Sequence, residues 1–164
     1  MGLIRLVQLA GCNYKVIKTE LQALRERIMA NALKEKSTVI LIFIAPNDEA
    51  TAVLRSFFEN HYEFMREKSY ENGPLKLVQY YISESPEWEG EDNMAPAPFF
   101  DGKFPNKTGR TVFVLNEIYE NEDGLHHHFM EFKEVMPEFN EMLSTFKIEF
   151  QCLNQMKIIQ SLWD

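Results

Sequence analysis

Two stretches of this chain carry the same succession of signals, and that repetition limits the fold more than any other feature. Thr38–Ala45, TVILIFIA, is β-branched and aromatic throughout and stops at Pro46, the pattern of a buried strand. Asn47 follows with a side-chain oxygen suited to a helix cap, and Asp48 and Glu49 suit the positive end of the helix dipole. Ala50, Val53, Leu54, Phe57, Phe58 and Met65 then recur at helical spacing. Asn72-Gly73-Pro74 predicts a turn, and Leu75–Ser83 a second strand.

The same order returns further along. Thr111–Tyr119, TVFVLNEIY, predicts a strand, and Asn121 to about Phe146 a helix that Pro137 kinks or breaks. Lys147–Leu153 predicts a closing strand, which Met156–Trp163 could continue. The resulting β-α-β, β-α-β order is that of a ferredoxin-like α+β fold, an antiparallel sheet with helices on one face.

Two segments stand outside this frame. Residues 1–37 form an N-terminal extension, with Val16, Ile17, Leu21, Leu24, Ile28 and Leu33 predicting a helix over 13–36. The main domain, 38–164, carries an inserted polar and Pro-rich loop over 84–109. Trp88, Phe99, Phe100 and Phe104 within that loop suit a lid or a partner contact better than a solvated linker.

Charge and cysteine content narrow the partners. Seventeen basic against 25 acidic side chains leave a net charge of −8, which opposes a phosphate backbone, so no nucleic acid is expected. Cys12 and Cys152 lie far apart with no metal-ligand spacing, which points to a reducing, cytoplasmic setting. The apolar run at the start of the sequence is too short to span a bilayer.

A four-stranded sheet with helices on one face leaves the other face bare. Pairing two such faces around a twofold axis is the common remedy, so a homodimer is expected.

The run Val112-Phe113-Val114-Leu115-Asn116-Glu117-Ile118-Tyr119 through His128-Phe129 resembles the antibiotic biosynthesis monooxygenase family of the dimeric α+β barrel superfamily. The family pattern is a strand ending in Glu-x-Tyr, an acidic turn, and a helix bearing a His about nine residues after the Tyr; Glu117, Tyr119 and His128 fill those places. Gly73 ahead of a strand with Tyr80 and Tyr81 is similar as well. The resemblance spans roughly residues 38–153 and implies a dimeric barrel. For activity it implies cofactor-independent oxygenation of aromatic substrates, or haem degradation. The first-strand Asn and nearby Trp of both activities are missing here, since Thr38–Ala45 holds no Asn and the Trp residues are Trp88 and Trp163. No cofactor is expected, haem through His128 being the alternative.

The side chains supply the candidate chemistry. His126, His127 and His128 project about 100° apart on a helix, so they cannot share one metal ion, and no metal site is expected, the spaced pair His127 and Glu131 lacking further ligands. One of the three packs inward; His128, with a pKa suited to proton transfer, is the candidate acid or base. His61 continues the stripe of Val53 and Phe57 and borders the core. Asn116, Gln79, Tyr80 and Tyr81 are polar groups in apolar strands and must find partners. The reading that follows is an apolar pocket for a small hydrophobic or aromatic molecule, lined by Gln79, Glu117, Tyr119, Trp88 and Phe100. His128 would move a proton there while Asn116 or Tyr81 stabilises developing negative charge. The alternatives are a non-catalytic carrier and an interaction module that uses the 84–109 loop.

Overall fold

The computed structural model describes residues 33–69, 73–89 and 106–161. The chain divides into two compact units, 35–157 and a second made of 1–34 with 158–164. The first unit holds the sheet and helices described below. The helix expected over 13–36 lies outside the described residues up to 32, and Leu33–Lys36 is a turn into the first strand.

Elements follow in the order β1 (Ser37–Ala45), α1 (Asp48–Ser69), β2 (Leu77–Trp88), β3 (Lys107–Tyr119), α2 (Glu122–Phe132), α3 (Met136–Thr145) and β4 (Glu149–Lys157). The strands form one antiparallel sheet in the order β2-β3-β1-β4, the ferredoxin-like arrangement. Local chemistry accounts for the helix bounds. Asn47 Oδ1 accepts from the Ala50 N–H at 2.9 Å at the start of α1, and Asn121 Oδ1 accepts from the Gly124 N–H at 3.3 Å at the start of α2. The predicted long second helix is two helices, with a turn over 133–135 and Pro137 in the first turn of α3, where its missing N–H costs nothing.

The inserted loop is shorter than its composition suggests. β2 and β3 continue into it as paired arms, Pro86 opposite Thr111 and Trp88 opposite Lys107, so residues 84–88 and 107–109 are strand. Phe99, Phe100 and Phe104 lie outside the described residues. β4 also runs beyond its expected end, bulging where Thr38 to Ile40 face Met156 to Leu153, with Gln155 at φ 54°.

Alternation sorts each strand into two faces. Val39, Phe43 and Ala45 of β1 and Phe113, Leu115, Glu117 and Tyr119 of β3 are buried beneath the helices. Phe43 anchors the core, its ring meeting Phe57, Phe58, Phe139 and Phe150 at centroid distances of 4.9–6.2 Å. The opposite face carries Ile40, Ile42 and Ile44 beside Val112, Val114, Asn116 and Ile118. Ile118 is buried there and the others are half-buried, and among the described residues no helix is long and apolar enough to cross a membrane.

Candidate functional site

Three buried ionisable side chains from three elements meet under the helices: His61 of α1, Glu117 of β3 and His128 of α2. His61 is there because Leu54, Phe58, His61 and Met65 form the sheet-facing stripe of α1. His128 follows from the packing of α2, whose first turn is pressed onto the loop before β2. A Cβ on Gly124 would stand 2.0 Å from the Leu75 carbonyl oxygen, so only glycine permits that approach. His126 and His127 face solvent, leaving His128 as the inward member of the run.

Glu117 is fully buried, and its two oxygens differ. Oε2 accepts a hydrogen bond of 2.6 Å from the Tyr119 hydroxyl, whereas Oε1 has no hydrogen-bond partner. His61 Nε2 stands 3.8 Å from Oε1 and His128 Nε2 4.0 Å from Oε2, too far for hydrogen bonds. On its other side His61 Nδ1 lies 2.9 Å from the Tyr80 hydroxyl, while His128 Nδ1 is unpartnered. The imidazole rings are 5.4 Å apart at 64°.

Burial dominates the electrostatics. It pushes the Glu117 carboxyl up to about 7, against the opposing pull of the Tyr119 hydrogen bond. It pushes His128 down to about 4 and His61 to about 3, the latter helped by His128 nearby. Tyr80 and Tyr119 are raised, first by burial and then by the Glu117 charge, and stay protonated. At neutral pH the cluster therefore holds two neutral imidazoles facing a carboxyl group poised near its own titration.

Two cavities adjoin it. One, of about 540 Å³, opens between α1 and the α2–α3 pair and is lined chiefly by Val53, Phe57, Phe64, Phe132, Phe139 and Met142, with His61 in its wall. The other, of about 210 Å³, lies between helices and sheet among Phe43, Leu115, Phe132, Phe150 and Cys152, and both His61 and His128 reach it.

The candidate residues read from the sequence thus fall in separate places. His128, Glu117 and Tyr119 come together. Asn116 and Tyr81 face each other across β2 and β3 on the side of the sheet away from that cluster, with Gln79 opposite Ile118 on that same side. A single site in which Asn116 or Tyr81 assists His128 therefore does not form, because adjacent strand positions point to opposite faces. Asn116 Oδ1 is buried without a partner, and Tyr81 is half exposed. Trp88 lies eight residues along β2 from Tyr80, roughly 26 Å away, with Lys107 Nζ 5.6 Å from its ring centre. Phe100 lies outside the described residues. Nor do His127 and Glu131 form a ligand cluster. His61, read from its spacing as a core neighbour, is the member that sequence reasoning passed over. The signal was its place on an apolar stripe, since a buried imidazole needs a polar partner.

His128 Nε2 is turned toward Glu117, and the cavity that His128 borders has a volume of about 210 Å³.

The sheet order and the three helices define a ferredoxin-like α+β domain, and comparison with solved structures bears this out. A dimeric ferredoxin-like protein from an uncultured marine organism superposes at a TM-score of 0.52 with 11% identity, over 77% of this chain and 98% of that one. A "putative antibiotic biosynthesis monooxygenase" from Deinococcus radiodurans is similar at a TM-score of 0.42 and 14% identity, over 76% and 98%. No family model and no curated protein matches the sequence.

Proposed function

We propose that this protein binds a small apolar or aromatic molecule between its helices and its sheet, with His61 as the polar anchor. The observation that carries this reading is that the cavities of about 540 and 210 Å³ are walled by phenylalanines and share His61. The larger volume lies in the range of small-molecule sites, and a mostly apolar wall with few polar groups is their usual make-up. Ser56, Asn60, Glu131 and Glu138 stand around the larger cavity and suit a molecule with one or two polar substituents. In the same reading two chains meet through the sheet face opposite the His61–Glu117–His128 cluster. Supporting this are the isoleucine and valine rows on that face and the dimeric state of the marine protein of like fold.

The test is fluorescence titration of the full chain with 2-naphthol. Saturable binding of one molecule per chain, weakened at least tenfold by Val53→Trp with the circular dichroism spectrum unchanged, is the expected result. Absence of saturable binding, or binding indifferent to Val53→Trp, overturns the reading.

A further inference from the structure

We propose that His61, Glu117 and His128 form a binding site for one divalent first-row transition-metal ion, held by two imidazole nitrogens and one carboxylate oxygen. The inference rests on the cluster's geometry and bears on the proposed function, since with both His61 nitrogens engaged a molecule in the cavity would be anchored through the ion's open position and not by His61 itself.

The ligand atoms of the three residues all lie within 4.8 Å of one another, though they come from α1, β3 and α2. An ion about 2.1 Å from each ligand needs neighbouring ligand atoms about 3.0–3.5 Å apart. His61 Nε2 stands 3.8 Å from Oε1 and His128 Nε2 4.0 Å from the other oxygen, Oε2, and with the three ligand atoms spread over up to 4.8 Å, rotations of the side chains must draw them together by about an ångström when the ion enters. The same distances are too long for direct hydrogen bonds, so the three groups converge without satisfying one another.

The donor set explains why a cation is the fitting occupant. Glu117 Oε2 is held by the Tyr119 hydroxyl while Oε1, fully buried, has no partner and faces His61 Nε2. A buried carboxylate oxygen left in this way costs free energy that a bound cation would recover. Tyr80 completes the arrangement: with the His61 Nδ1–H donating to the Tyr80 oxygen at 2.9 Å, the Nε2 lone pair is left aimed into the cluster. Two neutral imidazoles and one carboxylate form a ligand set used for Zn²⁺ and for Fe²⁺, softer than the all-oxygen sets of Mg²⁺ and Ca²⁺. Three protein ligands leave further positions open, and the cavity that both histidines line would supply water or a bound molecule to them.

The full chain, treated with chelator, is titrated with Co²⁺ and then Zn²⁺. Expected are one Co²⁺ per chain with visible ligand-field bands, displacement by Zn²⁺, and two strongly shifted imidazole N–H proton resonances in the Co²⁺-loaded wild type. His61→Ala, His128→Ala and Glu117→Gln each weaken Co²⁺ binding by at least the roughly 100-fold that loss of an outer partner can cost, and Tyr80→Phe by about 10- to 100-fold. The double variant His126→Ala, His127→Ala, which removes only exposed imidazoles, binds as the wild type does. Failure of the wild type to take up one ion, absence of the two shifted resonances, or loss of uptake in that double variant overturns the site. Because uptake and the resonances are read on the wild type, the test holds even where a variant fails to fold.

Discussion

The Tyr119 hydroxyl donates to Glu117 Oε2 across 2.6 Å, joining two side chains two residues apart on the buried face of β3. Alternation along the strand brings them side by side, and burial makes the bond costly to lose. Tyr119→Phe keeps the ring and leaves Glu117 with neither oxygen hydrogen-bonded. A loss of about 1–3 kcal/mol is expected in urea unfolding, the cost of a buried polar group left unpaired. A change under about 0.5 kcal/mol would mean that the carboxyl group finds another donor.

Stability of the chelator-treated protein should fall as the pH drops below about 7 and change little above it, because two histidines outweigh one carboxyl group. Below pH 6.5 the unfolded chain protonates its histidines, whereas folded His61 and His128 resist until about 3 and 4, so acid favours unfolding. Glu117 acts in the opposite sense. Its folded pKa is raised from 4.5 to about 7, so the stability it contributes while protonated is lost as pH rises through that window. Glu117→Gln should therefore raise the melting temperature of the metal-free protein at pH 8, with the gain shrinking toward pH 5. A gain independent of pH would place the effect elsewhere.

Gly124 sets where α2 lies. Gly124→Ala would put a methyl group 2.0 Å from a backbone oxygen that cannot move alone, so α2 must shift and carry His128 with it. A destabilisation above about 2 kcal/mol is expected, against about 0.5–2 kcal/mol for Asn121→Ala, which removes only the cap. Thermal melts of the two variants side by side decide this, and equal losses would mean that the turn simply yields.

The sheet face opposite the His61–Glu117–His128 cluster bears on oligomeric state. Sedimentation equilibrium should give the mass of two chains. Tyr81→Glu, at a position half exposed in the single chain, should give one chain with little change in the circular dichroism spectrum. A wild type that sediments as one chain would mean that the face is covered from within.

Arg55 and Glu84 offer a contrast with the buried cluster. They pair through two hydrogen bonds, yet both side chains are substantially exposed. Glu84→Gln should cost under about 1 kcal/mol and lose its effect in high salt. A larger, salt-independent loss in urea unfolding would show that the pair supports the packing of α1 on β2.

The sequence by itself determined the order of the strands and which residues of a strand share a face. Strand runs such as Thr38–Ala45, the caps at Asn47 and Asn121 and the break at Pro137 are local signals, legible because local chemistry decides them. The strand content of 84–88 and 107–109 was hidden, because Pro and Gly read as loop until cross-strand pairing outweighs propensity. The site was legible only in part. Glu117, Tyr119 and His128 share one stretch of sequence, whereas His61 lies 56 positions before Glu117 and looks like one more residue on an apolar stripe. Only the tertiary structure set α1 against β3 and α2, and so brought His61 to Glu117. That Asn116 and Glu117 point to opposite sides follows from strand alternation alone, but only the packing of the helices decided that the Glu117 face is the one turned toward His61 and His128.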